Sequence, residues 1–74
     1  MPDPDESRER MLESLQVLLS QLDDVSFSQL LRYRRLDPAR VKQVQQELAK
    51  VRRSLLKAQQ VLSHLDLEIE ENER

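Results

Sequence analysis

Residues 41–69 read VKQVQQELAKVRRSLLKAQQVLSHLDLEI. Within them Val41, Val44, Leu48, Val51, Leu55, Ala58, Leu62, Leu65 and Ile69 recur at alternating steps of three and four without a slip. On a helix those positions form one narrow stripe, the a/d seam of a heptad repeat. Val61 flanks the seam at g, and Leu56 and Leu67 lie at b and f on the outer side. The pattern predicts a long helix that lays its seam against other helices.

The start of that helix is written in Leu36-Asp37-Pro38. A residue before proline is pushed out of the α region, so a preceding helix ends by about Leu36. Asp37 suits the N-cap, and Pro38 suits the first helical position, where no amide donor is needed. Thirty-odd residues from Pro38 to about Glu70 would span about 50 Å.

Upstream, Met11, Leu15, Leu18, Leu22 and Val25 again step by four and three, and Leu12 and Leu19 widen the stripe. Only Val17 falls clearly off it. This is the broader apolar face of a helix docked in a core. Asp3-Pro4-Asp5-Glu6 reads as a helix start, with Asp3 as cap and Glu6 completing a capping box. The rival is a frayed tail, with regular helix by about Ser7. Around Asp23-Asp24-Val25-Ser26 the apolar face rotates, and Ser26 with Gln29 offers a second capping box. A break there, followed by a short helix from Phe27 to Arg35, is favoured over one continuous rod. A connection of one or two residues makes the two long helices antiparallel neighbours.

The expected fold is therefore all-α. It is an antiparallel helical hairpin with a long second helix, coiled-coil-like packing and a short third helix at the bend. Residues 1–6 read as an acidic flexible N-terminus, residues 7–70 as one helical-hairpin domain and residues 71–74 as an acidic C-terminal tail.

Composition agrees. The 74 residues contain no Gly, Cys or Trp, one Phe and one Tyr. Without glycine there is no phosphate-cradling loop and little scope for tight strand hairpins. Without cysteine there is no disulfide, thiolate ligand or thiol nucleophile. A domain of this size is marginal alone and usually needs a staple, a metal or another chain. The acidic, polar start lacks the basic-then-apolar form of a secretory segment. No apolar run approaches a membrane span. A cytoplasmic protein without membrane contact is expected.

The charges fall in blocks. Residues 1–24 carry seven acids and two bases, residues 25–57 two acids and nine bases, and residues 58–74 five acids and one base. A hairpin would gather the acids at its open end and Arg32, Arg34, Arg35, Arg40 and Lys42 at its bend. The long helix would then oppose its own macrodipole, so local helix stability did not select the pattern. Two hairpins packed head to tail would bring each acidic end to the other's basic bend. Alternatively, the bend meets an acidic partner. Arg32-Tyr33-Arg34-Arg35 raises nucleic acid as a second reading, although one Tyr is no stacking platform and the chain as a whole is acidic. Tyr33 is expected in the inter-helix packing.

Catalytic constellations are lacking. Ser63, His64 and Asp66 point about 100° apart per residue on a helix and cannot converge. A single His without Cys makes zinc ligation within one chain a poor expectation. The acids of the tail lack the glycine turn of a calcium loop. No enzyme activity, cofactor, metal or small-molecule substrate is expected.

Two families share these proportions. Residues 13–62 resemble the small subunit of exodeoxyribonuclease VII, which implies a helical accessory chain on a nuclease. Leu22-Asp23-Asp24-Val25 departs from the Gly-Asp-Leu-type turn of that family. The Gln-rich, alanine-punctuated segment 43–62 resembles the second helix of the small co-chaperones of type III secretion needle proteins. No functional residue is carried over from either.

The expected function is that of a small helical protein–protein interaction module: an adaptor, co-chaperone or accessory subunit. It would bind a protein partner or form a homodimer, a four-helix bundle, through Leu15, Leu18, Leu22, Leu56 and the seam of the second helix.

Overall fold

The computed structural model describes residues 3–67. Two helices account for most of them: α1 at Pro4–Tyr33 and α2 at Pro38–His64. They pack antiparallel into a rod 63 × 21 × 14 Å. Among the described residues there is no strand. The all-α hairpin read from the heptads is the fold observed.

Each helix starts as its sequence dictates. The Asp3 carboxylate accepts from the Asp5 amide at 3.2 Å, and Pro4 takes the first helical position. Helix therefore begins about one turn ahead of Ser7. Asp37 accepts from the Arg40 amide at 3.1 Å, with Pro38 following it. Such caps contribute about 1 kcal/mol each by satisfying amides that have no intrahelical partner.

The bend is residues 34–36. The Tyr33 carbonyl accepts from the amides of Leu36 (3.1 Å) and Asp37 (2.9 Å), which closes α1 and turns the chain.

Two expectations need correction. No third helix forms at the bend, and α1 runs unbroken through residues 23–26. None of those four residues is a helix breaker, and two are committed to α2. Asp23 pairs with Arg52, and the Ser26 hydroxyl donates to Gln45 Oε1 and so caps no new helix. The second correction is the end of α2, at His64 in place of about Glu70. Leu65 takes an extended backbone (φ −74°, ψ 130°), and its carbonyl accepts from the Arg8 guanidinium of α1. Continuing through Asp66 would begin loading carboxylates onto the negative end of the helix dipole. Ile69 lies outside the described residues.

The core is thin. Among the described residues only Leu19 (4% exposed) and Val41 (3%) are fully buried. Leu12, Leu15, Leu22, Leu48, Leu55 and Leu62 are half-buried along the line between the helices. Full burial of a Leu or Val side chain contributes about 1.5–3 kcal/mol. Few residues reach that state, so two helices of this length hold each other only marginally.

Candidate functional site

The line along which the helices touch can be read from burial and from cross-helix bonds. On α1 the inward residues are Leu12, Leu15, Leu19, Leu22, Ser26 and Gln29. On α2 they are Val41, Gln45, Leu48, Arg52, Leu55, Gln59 and Leu62. Both sets step by three and four, so the packing is of coiled-coil type. The set on α2 differs from the apolar seam. Val41, Leu48, Leu55 and Leu62 belong to both. The other inward positions are the polar Gln45, Arg52 and Gln59, while Val44, Val51, Ala58 and Leu65 stand to one side.

Polar cross-helix bonds accompany this register. Gln59 Nε2 donates to Gln16 Oε1 at 3.1 Å. Arg52 Nε donates to Asp23 Oδ1 at 3.2 Å. Gln45 Nε2 donates to the Ser26 carbonyl at 2.9 Å. The three pairs recur about every turn or two along one long side of the hairpin. Asp23, Ser26, Gln45, Ala49 and Arg52 line a shallow depression there.

The opposite long side is apolar. On α1 it carries Met11, Leu18 and Val25, which are 46%, 45% and 48% exposed. On α2 it carries half-buried Val44, then Val51 (46%), Ala58 and Leu65 (42%). Each set recurs at seven residues, which drifts only about 20° around a helix. Their shared side is marked near the bend. One depression is lined by Val25, Gln29 and Tyr33, and an adjoining one by Gln29, Tyr33, Arg40, Val41 and Val44. Tyr33 thus sits beside α2 at the bend, 42% exposed.

The interaction residues singled out from the sequence therefore separate into groups. Leu15, Leu22, Val41, Leu48, Leu55 and Leu62 lie between the two helices of this chain. Leu18, Val44, Val51, Ala58 and Leu65 form the open apolar side. Leu56 is 42% exposed on the outer surface of α2. Sequence periodicity could not make this separation, because positions three and four apart fit either seam. The signal that could have was the second heptad set, Gln45, Arg52 and Gln59, facing Ser26, Asp23 and Gln16.

Arg32, Arg34, Arg35, Arg40 and Lys42 are all exposed at the bend. Among the described residues none of the five takes part in an ion pair, whereas Arg8, Arg10, Lys50 and Arg52 do. At the open end Asp5 pairs with Arg8 at 2.8 Å and Glu6 with Arg10 at 3.8 Å.

The letters Ser63, His64 and Asp66 do not assemble. The Ser63 hydroxyl donates back to the Gln59 carbonyl at 2.8 Å, and His64 closes the helix. Among the described residues no three His, Asp or Glu side chains converge where a metal could be held. No helix there is long and apolar enough to cross a membrane.

Comparison with protein-family models, curated proteins and solved structures finds no match to this chain.

Proposed function

We propose that this chain is a small helical protein–protein interaction module, of adaptor, co-chaperone or accessory-subunit type, working in the cytoplasm without catalysis. It acts by burying its open apolar side against the helices of another polypeptide or of a second copy. One observation carries the reading. The chain keeps polar pairs on one long side and heptad-spaced aliphatic residues on the other, while among the described residues only Leu19 and Val41 are fully buried. Scattered exposed aliphatics are ordinary on a monomer, but a continuous row of them marks a contact surface.

The test is the pair of substitutions Leu18→Glu and Val51→Glu. Both residues are about half exposed, so the variant should keep its helicity. A fold supported by association melts at higher temperature as protein concentration rises. The wild type should show that dependence, or retain a helical partner, and the variant should lose both. If neither behaviour distinguishes wild type from variant, the reading is wrong.

A second reading is a nucleic-acid-associated accessory protein, favoured by the five exposed bases at the bend. It predicts binding that weakens steeply with salt and disappears when Arg32, Arg34 and Arg35 are changed to Glu. Lack of binding to single- or double-stranded oligonucleotides at low salt would exclude it.

A further inference from the structure

The open apolar side has a symmetry that names its occupant. Facing pairs across the hairpin are Arg8 with Leu65, Gln16 with Gln59, Asp23 with Arg52 and Ser26 with Gln45, so the numbers of facing residues add to 71–75. By that count Leu18, the midpoint of the row on α1, is level with residues 53–57 of α2. The row 44, 51, 58, 65 on α2 has its midpoint between Ser54 and Leu55. The two midpoints therefore lie within one helical turn, about 5.4 Å, of the same level.

We infer that the occupant is a second copy of this chain, related by a two-fold axis that crosses the hairpin at that level, perpendicular to its length. This deepens the interaction-module reading and rests on it. The axis lays α1 on α1 and α2 on α2, each pair antiparallel, with the two bends at opposite ends. Leu18 then meets Leu18 of the other copy, Met11 meets Val25, and Val51 meets Ala58. The small Ala58 side chain leaves room for Val51 at that contact. Both rows map onto themselves, as the self-complementary patch of a two-fold dimer must.

Charge selects this arrangement over the other face-to-face one. A two-fold axis along the rod would place the basic bends together, and like charges across an interface are unfavourable. With the bends apart, Arg32 of one copy comes level with residues 3–5 of the other, where Asp3 and Asp5 lie. The five bases that have no ion-pair partner among the described residues then face the acidic end of the second chain. The apolar rows run about 21 Å along α1, over residues 11–25, and about 32 Å along α2, over residues 44–65, at about 1.5 Å per residue.

The test uses the full chain, which has no native cysteine. Leu18→Cys, Phe27→Cys and Arg35→Cys are oxidised separately with diamide, and covalent dimer is measured over time. Leu18→Cys should cross-link at least about tenfold faster than Phe27→Cys, which is exposed on a different face. Arg35→Cys, at the bend, should stay monomeric. Rapid cross-linking through Arg35→Cys would place the bends together and overturn the arrangement. A Leu18→Cys rate no greater than that of Phe27→Cys would overturn the dimer itself. The interaction-module reading fails separately: it falls only if Leu18→Glu with Val51→Glu also leaves stability and every association unchanged.

Discussion

Arg52, midway along α2, reaches across the hairpin to Asp23 of α1, Nε to Oδ1 at 3.2 Å. The contact occupies an inward position that an unbroken apolar seam would have filled with Val51. It thus marks the rotation of α2 about its own axis. The bond itself is weak, because both side chains are about half exposed (43% and 58%) and water screens the attraction. A double-mutant cycle with Asp23→Ala and Arg52→Ala, read by thermal melts, should give a coupling of about 0.2–1 kcal/mol. A coupling several times larger would mean that the pair is buried in the assembled protein.

Replacing the rotation-setting pairs by aliphatic residues should change the assembly more than the helicity. Gln45→Leu, Arg52→Leu and Gln59→Leu together make the a/e side as apolar as the a/d side. Two registers then compete, and a surface with two seams no longer specifies one partner geometry. Far-UV circular dichroism should stay helical while the solution mass becomes heterogeneous. A single unchanged species would show that Gln45, Arg52 and Gln59 do not set the register.

Ser26 tests the continuity of α1. Its hydroxyl bonds to Gln45, and it caps nothing. Ser26→Ala should leave helical content unchanged and cost about 1 kcal/mol in stability. Ser26→Pro, placed inside a continuous helix, should cost about 3 kcal/mol or more and unfold the chain. Tolerance of proline at this position would indicate two helices in place of α1.

The thin core makes inward positions sensitive. Leu19→Ala should cost about 2–5 kcal/mol, enough to unfold a marginal domain at room temperature. Leu48→Asp with Leu55→Asp should abolish folding, since each puts a carboxylate on the line between the helices. Retention of native helicity and melting temperature by that double variant would contradict the observed packing.

Much of this fold is legible residue by residue. Asp37-Pro38 marks the bend because proline excludes one backbone conformation and the aspartate supplies an acceptor. The Asp3-Pro4 start is legible for the same reason. The aliphatic periodicity marks the two long helices, and the short connection between them makes them antiparallel. Continuity at residues 23–26 was not legible, because Ser26 can cap a helix or bond to a neighbour and only the position of Gln45 decides between them. The face of α2 that touches α1 was also hidden. Val44 and Gln45 are adjacent in sequence, and choosing between them needs the partners Ser26, Asp23 and Gln16, which come from a distant part of the chain. The end of α2 fell short of the heptads because hydrophobic spacing does not register the acidic residues that begin at Asp66.

The central claim is that a second copy of this chain covers the side carrying Met11, Leu18, Val25, Val51 and Ala58. Light scattering on the full chain, compared with the Leu18→Glu, Val51→Glu variant, tests it most directly. The wild type should have twice the 8.8 kDa chain mass, and the variant should have the mass of one chain with its helicity intact. A wild type at 8.8 kDa across the measured concentration range, or a variant that remains dimeric, would contradict the account.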